Sequence, residues 1–282
     1  MMAAEIRKRT ISGSPDELDA AGFFPVPGET DEQFASRLET LSGELEALRD
    51  GSSDLLPLLR QSRPLSREVR DAANQLTWET YRFRADWVAG WYSSRRTGLF
   101  SAGILLEVDG ALPLLFLHGT FARRNRRWGY DAAETLAHEL IHAVRIAFPA
   151  SVYEEYFPCQ VHASAFRRWA GNLFRRWYLP FFSLGGIAAT AVLAAVGNAL
   201  WFLPLAGPLL VLAREFQIRR RLGKAAHTLR MAGVDPLPVL LRLSDQEIFE
   251  IAALSPAELE ERRKCSPRWR RLLERFPFRE ES

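Results

Sequence analysis

Cysteine is scarce: Cys159 and Cys265 are the only two among 282 residues. That excludes a disulfide framework and points to a reducing compartment. An excess of one charge is also lacking. Lys and Arg number 37 against 34 Asp and Glu, a net +3 that is too small to mark a nucleic-acid-binding chain. The first ten residues, MMAAEIRKRT, hold no apolar signal region, so nothing there suggests secretion. With 48% hydrophobic and 25% charged residues, disordered and collagen-like chains are excluded. At about 100–200 residues per domain, the length allows one or two domains.

The most conspicuous absence is local. No charge occurs between Arg176 and Arg214, so 37 residues from Trp177 to Ala213 are uncharged. One helical bilayer crossing takes about 20 apolar residues, which makes this run long enough for two short crossings. Gly197-Asn198 supplies a turn in its middle. Arg167, Arg168, Arg175 and Arg176 precede the run, and Arg214, Arg219, Arg220, Arg221 and Lys224 follow it. Positive residues stay on the cytoplasmic side. A hairpin keeps both clusters there, whereas a single span does not. Trp169, Trp177, Tyr178 and Trp201 suit the membrane interface, and Pro204 and Pro208 predict a kinked or partly re-entrant second half. The alternative is a buried helical hairpin in a large core.

Elsewhere, Ser12-Gly13-Ser14-Pro15 and Pro25-Val26-Pro27-Gly28 make residues 1–30 a flexible leader. Thr30 starts a helix with Gln33 in capping-box relation, and Phe34, Leu38, Leu41, Leu45 and Leu48 form its apolar stripe. A second helix runs from Ser66 to about Thr80. Gly103 to Val108 and Ala111 to Leu117 read as two strands joined at Asp109-Gly110, with Pro113 favouring an edge or a delayed start for the second. After the uncharged run, residues 214–282 are helical. Ser244/Glu247 and Ser255/Glu258 mark helix starts there, and Val239, Ile248, Trp269 and Leu272 are packing residues.

The chemistry concentrates in residues 131–145, DAAETLAHELIHAVR. Asp131 caps a helix with Glu134 three residues on. Inside it, His138-Glu139-Leu140-Ile141-His142 is an HExxH motif. Positions i and i+4 share a helix face, so both imidazoles can reach one Zn²⁺ while Glu139 sits beside a metal-bound water. Zinc lowers the pKa of such a water towards ~7, and Glu139 can accept its proton and deliver it to a leaving amine.

On these residues the sequence resembles the zincin metallopeptidases, specifically the gluzincin-type group with a downstream glutamate as third ligand. The resemblance covers about Leu99 to Trp169. It implies zinc ligation by His138 and His142, Glu139 as general base, and an edge strand that aligns peptide substrate. Two carboxylates, Glu154 and Glu155, follow His142 by 12 and 13 residues. Ser151 and Glu154 have capping-box spacing, which would occupy Glu154 on the backbone. Glu155 is then not claimed by the cap and shares a face with Cys159 and His162, so it is the expected third ligand. Glu154 remains an alternative because Pro158 can kink this helix and reverse the choice, and His162 is another, which would give a His₃ site.

Other residues carry weaker signals. His162 is a ligand, a stabiliser of the tetrahedral intermediate or an ordinary helix residue. Arg145 is a partner for Glu155 or the substrate carbonyl, or a salt-bridge residue. Tyr153 and Tyr156 are candidate oxyanion donors. Cys159 reads as a small packed residue. His118 and His227 have no promoting partner. Arg123, Arg124, Arg126 and Arg127 with Trp128 form a cluster suited to anionic lipid headgroups, or a solvated loop.

The combined expectation is an α+β chain. A zincin-like catalytic region spans 31–176, a transmembrane helical hairpin 177–213 and a cytoplasmic helical region 214–282. The protein is expected to be integral to the inner or cytoplasmic membrane, with its catalytic side in the cytoplasm. It would use one Zn²⁺ per chain to hydrolyse a peptide or protein substrate, with the lipid bilayer as a further partner. The competing classes are a zincin-like membrane scaffold with a structural or degenerate metal site, and a small-molecule amidase with a closed pocket.

Overall fold

The computed structural model describes residues 13–59, 61–99, 101–108, 112–149, 151–171 and 178–278. The chain forms two compact units that divide after residue 150. Helices and small sheets both contribute, so the mixed α and β character is present.

In the first unit, Ser14 caps α1 (Pro15–Ala20) and Thr30 caps α2 (Asp31–Asp50), each through a complete capping box. Residues 13–30, expected as part of a leader, are therefore docked. Phe23 stacks on Trp87 at 4.9 Å, and Trp87 Nε1 donates to the Ala21 carbonyl at 2.9 Å. Ser66 caps α3 (Arg67–Tyr81). A four-stranded sheet follows from β1 (Arg63–Pro64), β2 (Ala89–Tyr92), β3 (Gly103–Val108) and β4 (Leu112–Leu117), in the order β1-β2-β4-β3. β3 pairs antiparallel with β4, and β2 pairs parallel with it. The expected Asp109-Gly110 turn lies outside the described residues.

Pro113 does not put β4 at an edge. β4 is interior and buried throughout, and β3 is the edge strand. The proline is tolerated because the β2 ladder begins only at Leu114, one residue later, so no bond to β2 is lost at Pro113. A two-residue turn with φ +49° at Trp128 and +75° at Gly129 joins β5 (Arg126–Arg127) to β6 (Tyr130–Asp131). The turn delivers Asp131 to the start of α4 (Ala132–Val144). Asp131 accepts there from Ala133 and Glu134 backbone N–H groups. α4 packs on α3, β3 and β4, and buries Leu136, Ala137, Leu140, Ile141 and Val144.

The second unit is helical: α5 (Tyr156–Cys159), α6 (Ala165–Ala170), α7 (Tyr178–Ala195), α8 (Ala206–Met231), α9 (Pro236–Leu241), α10 (Asp245–Ile251), α11 (Pro256–Cys265) and α12 (Pro267–Arg275). Ser244 and Ser255 complete capping boxes with Glu247 and Glu258. Trp269, Leu272, Leu273 and Phe276 are buried.

This unit corrects the transmembrane hairpin expected over 177–213. Among the described residues, no helix is long and apolar enough to cross a membrane. The uncharged run is divided into pieces. α7 has 18 residues, about 27 Å at 1.5 Å per residue against a hydrocarbon core of about 30 Å. Gly197, at φ +69°, ends that segment. Leu203–Leu205 forms a single 3₁₀ turn. α8 then contributes only Ala206 to Ala213 before Arg214, and continues through Arg219, Arg220 and Arg221 as one helix. Pro204 lies in the 3₁₀ turn and Pro208 in the first turn of α8, where a missing N–H costs little, so neither kinks a span. The expected integral-membrane placement and its cytoplasmic orientation lose their basis with the crossings. Trp177, Arg175 and Arg176 lie outside the described residues.

Candidate metal centre

α4 exposes one stripe of its surface. Glu134, His138, Glu139 and His142 are half-buried while its apolar residues are enclosed. The imidazoles of His138 and His142, one turn apart, converge at Nε2. These nitrogens stand 3.3 Å apart, with ring centroids at 5.0 Å and planes inclined by 65°. Two nitrogens each 2.0–2.1 Å from one tetrahedral zinc stand about 3.3–3.4 Å apart, so the pair fits that ion.

Glu139 is set against the edge strand. A Cβ added at Gly103, the first residue of β3, would lie 2.8 Å from Glu139 Oε1 and 3.1 Å from Thr135 Cγ2. A glycine is thus what lets the strand backbone approach the carboxylate. Thr135 Oγ1 in turn donates to the Asp131 carbonyl at 2.7 Å, fixing the first turn of α4. Gly103 was not singled out in the sequence, although a glycine opening a strand beside a motif helix is the available signal. The strand is further anchored by Arg127, whose guanidinium donates to the carbonyls of Ser101, at 2.6 Å, and Leu99. Arg127 is buried and lies 4.0 Å over the Trp128 ring, so it belongs to the fold; Arg123, Arg124 and Arg126 are exposed.

Arg145 caps the C-terminus of α4, is buried, and stacks 4.5 Å over Phe148. His118 Nδ1 accepts from the Thr120 backbone N–H at 3.1 Å, and burial with the nearby Arg127 lowers its pKa. It is therefore a turn residue. His227 is exposed on α8.

In the second unit, the expected Ser151/Glu154 capping box does not form. Ser151 Oγ accepts from the Tyr153 N–H at 3.0 Å and donates to Asp245 at 2.5 Å, and the Val152 N–H donates to the same carboxylate at 2.6 Å. Residues 152–155 are consequently a turn, and α5 begins only at Tyr156 after Glu155. Tyr153 is fully buried with its hydroxyl on the Ile218 carbonyl at 3.3 Å, and burial raises its pKa. It is committed to the helical core rather than to an oxyanion. Tyr156 is half-buried with its pKa raised by burial, against opposing Arg219 and Arg230. Cys159 is buried, its thiol pushed up to about 12 by burial and then by the Glu155 carboxylate. A Cβ at Gly171 would lie 2.2 Å from its Sγ, which shows how tightly the thiol is enclosed. His162 is buried, and its carbonyl accepts from Arg168 at 2.7 Å.

His138 and His142 belong to the first unit, and Glu155, Cys159 and His162 to the second. Comparison with protein-family models, curated proteins and solved structures finds no significant match.

Proposed function

We propose that the protein is a zinc-dependent peptide hydrolase, with His138 and His142 as ligands, Glu155 as third ligand and Glu139 as general base. The observation that carries this reading is the convergence of the two Nε2 atoms to 3.3 Å on one helix, with Glu139 between them in sequence and held against the edge strand. A bound zinc would supply Lewis acidity towards water and the substrate carbonyl. Glu139 takes the proton from the attacking water and returns it to the leaving amine. β3, as the edge of its sheet, offers main-chain groups on which an extended peptide can lie.

The same 3.3 Å also suits a hydrogen bond between two imidazoles. That favours a second reading, a scaffold whose histidine pair is structural or holds a non-catalytic ion. A Glu139→Gln variant separates the two. Under the hydrolase reading it retains bound zinc and loses about 10²–10⁴-fold in peptide hydrolysis. Unchanged hydrolysis would remove Glu139 as the base, and no hydrolysis by zinc-loaded wild type across a peptide library would leave the scaffold.

A further inference from the structure

We infer that the α7–α8 hairpin is a docking surface for an anionic lipid bilayer, seated at the boundary of headgroups and acyl chains without crossing it. The hairpin is closed internally by close approaches. A Cβ at Gly186 would lie 2.7 Å from the Pro204 carbonyl oxygen, and one at Gly207 would lie 2.5 Å from Phe182. What faces outward is apolar: Phe181, Leu184, Ile187 and Val196, and beyond the turn Leu209 and Leu210, are exposed, Val196 and Leu210 at 71% and 70%. An apolar surface of this extent marks an interaction site.

Charge identifies the occupant. Residues 163–231 hold ten Lys and Arg against one acidic residue, Glu215, while the remainder of the chain holds 27 against 33. Glu215 is buried, whereas Arg214, Arg220, Arg221 and Lys224 are exposed on α8 directly beyond the apolar segment. Apolar residues beside a basic band match an interface with acyl chains beside negative headgroups. A second copy would bring the same positive band against itself. A protein partner would require directional polar contacts, about one hydrogen bond per 100–200 Å². From 181 to 213 the polar side-chain groups are those of Ser183, Thr190 and Asn198 and the indole N–H of Trp201, a side chain that itself suits a membrane interface. Ser183 is half-buried, Thr190 Oγ1 donates to the Gly186 carbonyl, and Asn198 Oδ1 accepts from the Leu200 N–H.

The test is flotation of the full chain with vesicles of phosphatidylcholine alone or mixed with phosphatidylglycerol. The account predicts flotation on the mixed vesicles and release by alkaline carbonate. It predicts about tenfold weaker binding for Arg220→Glu/Lys224→Glu, which leaves the apolar surface intact, and for Leu209→Ser/Leu210→Ser. Circular dichroism checks that both variants are folded. No flotation, equal binding to both vesicle types, resistance to carbonate, or a hairpin masked in a concentration-dependent dimer would each overturn it.

Discussion

Two apolar helices of this chain meet opposite fates. α4 encloses Leu136, Leu140 and Ile141, while no described residue of α7 is buried. The difference lies in pattern rather than in apolar content. α4 carries Glu134, His138, Glu139 and His142 on one stripe, so its remaining surface has a defined inward side. α7 has no charged residue and no polar stripe from Tyr178 to Ala195, so nothing in its sequence names a side to bury. Apolar length alone therefore predicted an environment for α7 that its geometry does not support, whereas periodicity plus a cap was sufficient for α4.

The comparison can be broken by truncating each helix pair where it is most apolar. Ile141→Ala, in the enclosed stripe, should cost about 2–5 kcal/mol in urea unfolding, whereas Leu210→Ala on the exposed hairpin should stay within about 0.5 kcal/mol. Equal losses would mean that the hairpin is buried in the folded protein. Gly103→Ala sharpens the other side of the contrast. The new methyl meets the Glu139 side chain and Thr135 Cγ2 rather than backbone, so zinc binding and most stability should persist. Hydrolysis should fall about 10²-fold, as a displacement near 1 Å does to a reacting group. Wild-type turnover in that variant would show that the close approach is incidental to Glu139. The smallest effect belongs to the caps: Ser255→Ala should lower unfolding stability by about 1 kcal/mol, and a shift under a few tenths would mean α11 does not depend on its N-terminal box.

Local signals were legible in the sequence. The boxes at Thr30/Gln33, Ser244/Glu247 and Ser255/Glu258 form because each partner lies three residues away. Asp131 likewise caps the motif helix, and β3 pairs with β4 as a neighbouring strand. What was not legible depends on distant partners. β2 is only Ala89 to Tyr92 and gains its place from parallel pairing with β4, which puts β4 in the interior despite Pro113. Ser151 offers a good local cap, but its hydroxyl accepts from Tyr153 N–H rather than Glu154 N–H and donates to Asp245, 94 residues on. That exchange turns 152–155 into a turn and leaves Glu155 just ahead of α5. For the candidate site, the helix and its two histidines could be read from spacing, whereas the role of Gly103 required the strand's position over Glu139.

The most direct measurement is the zinc content of purified protein, wild type beside His142→Ala and Glu155→Ala, with folding checked by circular dichroism. The account predicts about one zinc per chain in the wild type and a fall in both folded variants. Zinc-free wild type after reconstitution, or zinc content unchanged by His142→Ala, would contradict it.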